Sequence, residues 1–212
     1  MPGAQDAARP GRILLIACGA LAREVVDLMR LNAWPHMDVT CLPAGWHNTP
    51  QFIAEGVREK IHRARGAYDR MYVLYGDCGT GGDLDRVIAE EKVERIEGPH
   101  CYAFYTGVDR FIEEADADPT CFYLTDYLAR HFDRLILKGL GIDRHPELLP
   151  MYFGNYTALV YLAQTDDPDL RAKAAAAAER LGLEYRYRLA GYGELEHFMA
   201  KAAKGAKAAK GE

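Results

Sequence analysis

Residues 12–31, RILLIACGALAREVVDLMRL, change character once, and that change decides the fold class. Residues 12–17 are a continuous apolar run of the kind that a buried parallel strand shows. Residues 20–31 then carry apolar side chains at helical spacing. A buried strand followed at once by an amphipathic helix predicts an α/β protein with a parallel sheet.

The same alternation of strand and helix continues along the chain. Further strands are predicted at residues 37–43, 71–76, 93–98, 121–124, 157–164 and 183–190, and further helices at 49–65, 83–92, 101–115, 125–141 and 168–182. We therefore predict a doubly wound α/β fold, a mostly parallel sheet with helices on both faces, as a single domain over residues 12–200. Residues 1–11 are expected to be disordered, and residues 201–212 to form a flexible tail of Ala, Lys and Gly.

Composition excludes several classes of protein. The chain has 212 residues with 49% apolar residues, enough for a core, and its net charge of −5 argues against binding to nucleic acid. No apolar run approaches the ~18 residues that a membrane helix needs, and the N-terminus lacks the apolar segment of a secretion signal. We therefore expect a cytoplasmic protein whose five cysteines are reduced thiols, as metal ligands or reactive groups.

Three of these cysteines lie at or just beyond the ends of predicted strands. Cys18 follows the first strand, Cys78 the third and Cys101 the fourth. In open parallel sheets the carboxyl ends of the strands share one edge, where ligands bind, so we expect these thiols to lie together. Cys41 and Cys121 lie inside strand segments and are interpreted as small buried hydrophobes.

Histidine adds to this pattern at the same edge. His47 follows the second predicted strand, and His100 precedes Cys101. Thiolate sulfur and imidazole nitrogen are the donors that zinc prefers, although the same thiolates suit an iron–sulfur cluster. We predict a metal site of Cys18, His47, Cys78 and Cys101; whether His47 or His100 is a ligand stays open. The other five histidines are interpreted as surface or capping residues: His36, His62, His131, His145 and His197.

The segment GDCGTGGD, residues 76–83, is not a nucleotide-binding loop. It fits neither the G-x-x-x-x-G-K-[ST] nor the G-x-G-x-x-G pattern. We expect Gly79 and the later glycines to turn backbone amides toward Cys78, and the following helix N-terminus to lower its pKa. Asp77 would repel a phosphate at this loop. A cysteine nucleophile with His47 or His100 as its base is the alternative, but it leaves the other thiols unexplained.

Aromatic residues surround the predicted site in the sequence. Tyr102 and Tyr105 follow Cys101, and Tyr75 precedes the glycine loop. We expect these rings, together with His100, Asp77 and Gly79, to form the wall or the supporting shell of a pocket.

Several segments together resemble a known family. They are LLIACGALAREV, LPAGWHNTP, LYGDCGTGG, GPHCYAFYTG and YFGNYTALVYL. On these the chain is identified as a member of the DUF1638 family, over most of residues 12–195. The resemblance implies metal-site positions at Cys18, His47, Cys78 and Cys101. His100 stands where the family more often has Asp.

Genes of this family often lie among those for corrinoid-dependent methyl transfer, so the resemblance implies a role in one-carbon metabolism. Our first hypothesis is a zinc-dependent methyltransferase that activates a small thiol, such as homocysteine, with a corrinoid protein as methyl donor. The second is an iron–sulfur protein that carries electrons to, or reductively activates, a corrinoid partner. The third is a metal-binding accessory protein without turnover.

Overall fold

The computed structural model describes residues 11–208, with side chains as far as residue 205. The first part of the chain forms a four-stranded sheet. Its strands lie in the order β2-β1-β3-β4, and every neighbouring pair is parallel. In chain order the elements are β1 (Ile13–Cys18), α1 (Ala22–Leu31), β2 (Met37–Leu42), α2 (Ile53–Ala64), β3 (Arg70–Leu74), α3 (Asp83–Glu91), β4 (Glu94–Arg95), α4 (Ala103–Thr106) and α5 (Val108–Ala117).

The second part of the chain forms a three-stranded parallel sheet in the order β5-β6-β7. Its elements are β5 (Cys121–Thr125), α6 (Asp126–Phe132), a π-helical segment (Asp133–Lys138), α7 (Leu149–Phe153), β6 (Ala158–Ala163), α8 (Pro168–Leu181), β7 (Glu184–Leu189) and α9 (Gly193–Ala208). The predicted class is thus confirmed: the protein is α/β, with all-parallel strands flanked by helices.

The strands divide between two sheets, which the alternation of strands and helices does not reveal. Pattern alone identifies a strand, but the neighbour of each strand depends on packing between distant segments. β4 pairs with β3 over only two residues before the chain turns into α4 and α5. Whether residues 12–200 are one domain stays a prediction.

Each sheet has its own apolar core, and the last helix returns to the first of them. All six residues of β1 and of β6 are buried, as their apolar runs predict. On α9, Leu195 and Met199 pack into the core around β1 and β3, although α9 follows the second sheet in sequence. Both ends of the described chain therefore contribute to the first core.

Two predicted helices are interrupted. The helix predicted over residues 101–115 breaks at Gly107, whose φ of +88° is left-handed, and becomes α4 and α5. The helix predicted over 125–141 stops being α-helical at Phe132, after His131 takes a non-helical φ of −118°, and continues as the π-helical segment.

The chain ends are described only in part. The last helix extends to Ala208, beyond the predicted domain boundary at residue 200. The predicted flexible tail comprised residues 201–212, of which residues 201–208 belong to this helix. The rest of that tail, residues 209–212, and residues 1–10 of the predicted disordered start (1–11) lie outside the described residues. No helix in the described part of the chain combines the length and the apolar character that crossing a membrane requires.

Candidate metal centre

Strand register brings the predicted ligands to one edge of the first sheet. Cys18, the last residue of β1, lies opposite Leu42 of β2, and Ala17 lies opposite Leu74 of β3. The three strands therefore end in line. His47 follows Leu42 in a 3₁₀ turn at residues 44–48, and Cys78 follows Leu74 after a three-residue link.

Backbone hydrogen bonds bring the segment after β4 to the same place. The amide of Asp77 donates to the Gly98 carbonyl, and the amide of Cys78 donates to the Pro99 carbonyl, both at 2.9 Å. These bonds continue the pairing of β3 and β4 beyond the sheet and place His100 and Cys101 beside Cys78.

This approach requires glycine at position 76. A Cβ built on Gly76 would lie 2.8 Å from the His100 carbonyl carbon and 3.0 Å from the Cys101 amide nitrogen. Real Cβ atoms do not come that close to backbone. Sequence reasoning missed Gly76, and its only signal was a glycine directly after the third strand.

Sulfur and nitrogen atoms converge in the resulting cluster. The Sγ atoms of Cys78 and Cys101 are 3.5 Å apart. The ligand atoms of His47, Cys78 and His100 all lie within 4.8 Å of one another. Cys18 also belongs to the cluster, because its thiol is hydrogen-bonded with that of Cys101. Of the predicted ligands, the structure therefore brings together all four, and His100 with them.

The three thiols of the cluster share protons unequally. Hydrogen bonding with Cys101 lowers the pKa of Cys78 to about 4, against the opposing effect of burial. Hydrogen bonding with Cys101 also lowers the pKa of Cys18 to about 7. Hydrogen bonding with Cys18 and Cys78, together with burial, raises the pKa of Cys101 far above its usual range. Cys101 thus keeps its proton, and Cys78 is the thiolate.

The two histidines respond differently to this thiolate. Hydrogen bonding with Cys78 raises the pKa of His47, because the thiolate stabilises the charged ring. Burial lowers the pKa of His100. Nδ1 of His100 accepts the Tyr102 amide at 3.2 Å, which places the proton of the neutral ring on Nε2. In this arrangement His100 is a hydrogen-bond donor, and His47 is the better-placed metal ligand.

One of the predicted pocket tyrosines, Tyr102, packs against the cluster. The Tyr102 and His100 ring centroids are 4.2 Å apart, and Tyr105 is buried nearby at 3% exposure. The Tyr75 hydroxyl is buried and has no hydrogen-bond partner among the described residues. Burial, and then the charge of Cys18, raise the pKa of Tyr75. A buried hydroxyl left free beside thiols is a position where a bound polar group would find a donor.

The amides of the glycine loop donate to the Asp77 carboxylate and not to the Cys78 sulfur. The amides of Gly79, Gly81 and Gly82 donate to the Asp77 carboxylate at 3.1–3.3 Å, and the Thr80 hydroxyl donates to it at 2.6 Å. The prediction that these amides turn toward the Cys78 sulfur is therefore wrong.

The carboxylate occupies the position that a phosphate would take in such a nest of amides. Although burial opposes it, the hydrogen bonds of the loop lower the pKa of Asp77. The three glycines have φ between +63° and +90°, and Cys78 itself has φ of +47°. A non-glycine residue in this region is uncommon and is frequent at functional sites.

The remaining two cysteines lie apart from the cluster. Cys41 lies within β2 opposite Ala17, and Cys121 begins β5 in the second sheet. Both are half-buried free thiols, less buried than predicted. Burial and hydrogen bonding with Asp118 raise the pKa of Cys121 to about 11, which leaves it a neutral thiol at neutral pH.

A cluster of thiols and imidazoles at the carboxyl edge of a parallel sheet defines an α/β protein with a candidate metal centre. The family model described as "Protein of unknown function (DUF1638)" matches residues 41–199, three quarters of the chain. The chain belongs to the DUF1638 family, as its motifs indicated. His47, Cys78 and Cys101 lie within the matched region and Cys18 precedes it. No curated protein matches the chain, and no solved structure matches it.

Proposed function

We propose that this protein binds one zinc ion at the cluster of Cys18, His47, Cys78 and Cys101, through three of these side chains at a time, and uses the ion to activate a small thiol. The observation that carries the proposal is the convergence of the ligand atoms: 3.5 Å between two sulfurs, and two imidazoles within 4.8 Å of Cys78.

The separations fit a single ion. With Zn–S near 2.3 Å and Zn–N near 2.0–2.1 Å, tetrahedral geometry requires about 3.8 Å between two sulfurs and about 3.5 Å between sulfur and nitrogen. The Cys78–Cys101 separation of 3.5 Å differs from the first value by only a few tenths of an ångström. The His47 nitrogen lies within 4.8 Å of the Cys78 sulfur and would need to approach it by up to about 1 Å, which a side-chain rotation of the exposed His47 supplies.

Each protein group has a defined role in this proposal. Cys78 is already a thiolate, so it binds without losing a proton. Cys101 must release its proton on binding, which makes metal binding favourable at higher pH. His100 stays outside the ligand set, since Nδ1 accepts a backbone amide, and its Nε2–H donates a hydrogen bond into the site.

A bound zinc ion would lower the pKa of a thiol held at its open position, so that the thiol is a nucleophile at neutral pH. The protein's part is to bind and orient that thiol. Cys18, Cys78 and Cys101 are 5–6% exposed, whereas His47 is exposed, so a substrate would enter on the His47 side. The free Tyr75 hydroxyl offers a donor inside.

We propose homocysteine or a similar small thiol as the substrate and a methylcorrinoid protein as the methyl donor. The thiolate sulfur forms a bond to the methyl carbon, the cobalt–carbon bond breaks with its electron pair left on cobalt, and the thiol proton goes to water. The support for the corrinoid partner is the family resemblance, and the support for the thiol is the donor set. The five free thiols favour a reducing compartment and hence a cytoplasmic protein.

An iron–sulfur cluster is the second candidate, because three thiols are hydrogen-bonded neighbours: those of Cys18, Cys101 and Cys78. Such a protein would carry electrons to a corrinoid partner or reductively activate it. In a [4Fe–4S] cluster each cysteine binds a different iron, so the close approach of Cys78 and Cys101 favours a single ion. A metal-binding accessory protein without turnover is the third candidate.

The metal content of anaerobically purified protein, with its visible spectrum, tests these candidates. A zinc protein is colourless, and cobalt(II) substitution should give the intense visible bands of tetrahedral thiolate ligation. A brown protein that contains iron and sulfide would refute the zinc site. Zinc-loaded protein that leaves methylcobalamin and homocysteine unchanged, with and without a corrinoid protein, would favour the accessory role.

Single substitutions assign the ligands. Cys18→Ser, Cys78→Ser and Cys101→Ser should each reduce bound zinc sharply. Cys121→Ser is the matched control and should leave it unchanged, because this thiol lies in the other sheet. Full zinc content in any one of the first three variants would remove that residue from the ligand set.

A further inference from the structure

A second site is formed in the other half of the molecule, independent of the thiol cluster. A cleft of about 430 Å³ lies between α8 on one side and α6 with the π-helical segment on the other. This volume falls in the range of small-molecule sites. The proposed metal chemistry uses none of its residues.

One wall of the cleft is a single face of α8. Lys173, Ala176, Ala177 and Arg180 have the spacing i, i+3, i+4 and i+7, which places them on one side of the helix. The two alanines form a flat apolar floor because their side chains are short. A cation stands at each end, about 10 Å apart along the helix axis.

The opposite wall departs from regular α-helical geometry. Arg130 and Arg134 are four residues apart and both line it. Between them the backbone leaves the α-helical conformation at His131, with φ −118° and ψ +19°, and then widens into the π-helical segment Asp133–Lys138. Such wide turns are rare in proteins and are frequent at functional sites.

The charge of the side chains that line the cleft is mainly positive. Four cationic side chains line it with one carboxylate, that of Asp133, which lies 3.2 Å from Arg180. Within the described residues, Arg130, Arg134 and Lys173 have no salt bridge to a carboxylate. Four cations less one carboxylate leave a local charge of +3 in a protein of net charge −5. A positively charged cleft on a negatively charged protein indicates a binding site for an anion.

The positive charges of the cleft also affect the pKa of His131. Burial, and then the charges of Arg134, Arg130 and Lys173, lower the pKa of His131. The three cations therefore act together at one point of the cleft wall.

We propose that this cleft binds an organic di- or triphosphate. Guanidinium groups bind phosphate oxygens in a bidentate manner, and a di- or triphosphate carries the three to four negative charges that the rim would neutralise. The alanine floor suits an apolar or aromatic body attached to the phosphates. The glycine loop of the first sheet cannot compete for this ligand, because the Asp77 carboxylate already accepts its amides.

Calorimetric titration of the full-length, metal-loaded protein with ATP, ADP, AMP and inorganic tripolyphosphate tests the proposal. ATP and ADP should bind more tightly than AMP, because AMP offers fewer charges to the rim. Arg134→Gln and Lys173→Gln should each weaken ATP binding about tenfold, the loss expected for one charged hydrogen bond. Lys138→Gln is the matched control, because Lys138 is exposed in the same segment but does not line the cleft.

A second readout follows His131 itself. In an NMR titration the pKa of His131 should rise when ATP is present, because the phosphates offset the neighbouring cations. The His131→Gln variant identifies its signal among those of the seven histidines. Cys78→Ser should bind ATP as well as the unmodified protein, even if the metal proposal fails.

Three results would overturn the proposal. The first is the absence of binding by ATP and ADP at millimolar concentration. The second is ATP binding that Arg134→Gln and Lys173→Gln leave unchanged, above all if Gly81→Val abolishes it. The third is tripolyphosphate binding as tight as that of ATP, which would refute recognition of an organic body.

Discussion

Replacing Gly76 with alanine should damage the thiol cluster through the backbone alone. The new Cβ would lie 2.8 Å from the His100 carbonyl carbon, whereas carbon atoms pack at about 3.5 Å or more. The His100–Cys101 backbone must therefore move by about 0.7 Å. Because the added atom meets backbone rather than a flexible side chain, only a shift of the backbone can remove the clash. We therefore expect a loss of about 2 kcal/mol in the free energy of unfolding.

Two measurements with one control test this expectation. For a chain of this size a loss of about 2 kcal/mol corresponds to a fall in melting temperature of about 4–8 °C. Displacing Cys101 relative to Cys78 should also weaken zinc binding by about 10–100-fold, as loss of supporting contacts does at other metal sites.

Gly45→Ala is the control for Gly76→Ala, because a Cβ at Gly45 meets nothing within 4 Å. It should change stability by less than about 0.5 kcal/mol. Equal effects of Gly76→Ala and Gly45→Ala on both measurements would refute the close-approach argument.

Two further predictions concern buried carboxylates outside the cluster. Burial raises the pKa of Glu24 to about 7, so the free energy of unfolding should fall by roughly 3 kcal/mol as pH rises from about 4.5 to about 7. Glu24→Gln should remove this pH dependence in urea unfolding. A pH profile of stability that Glu24→Gln leaves unchanged would contradict the prediction. Asp126 accepts hydrogen bonds from the Tyr161 hydroxyl, the Gln164 amide and both Thr165 donors. Asp126→Ala should therefore cost about 3–5 kcal/mol, and a cost below about 1 kcal/mol in urea unfolding would show that these donors find other partners.

Most strands and the class of fold could be predicted from local pattern. The apolar runs at residues 12–17 and 157–164 became β1 and β6, the two strands that are buried throughout. The break at Gly107 and the π-helical segment escaped prediction, since apolar periodicity continues through both. The first break lies at a left-handed glycine, and the second begins at a non-helical His131.

The sequence predicted which cysteines lie together in the candidate site, but not which of them keep their protons. The strand-end rule selected Cys18, Cys78 and Cys101, because parallel strands in register must end at one edge. It could not predict that Cys101 keeps its proton while Cys78 loses it. That division depends on a sulfur–sulfur distance of 3.5 Å between residues 23 positions apart in the chain.

The glycine loop shows most clearly which features the sequence determines and which only the tertiary structure decides. The sequence by itself determined that residues 76–83 follow a buried strand, are rich in glycine and lack a phosphate-binding pattern. Only the tertiary structure decided that the loop amides face Asp77, that Gly76 lies against His100, and that the strands divide between two sheets. Local patterns fix the conformation of a segment because they act within a few residues. Distances between segments depend on register and packing across the whole fold, and metal and proton chemistry depends on those distances.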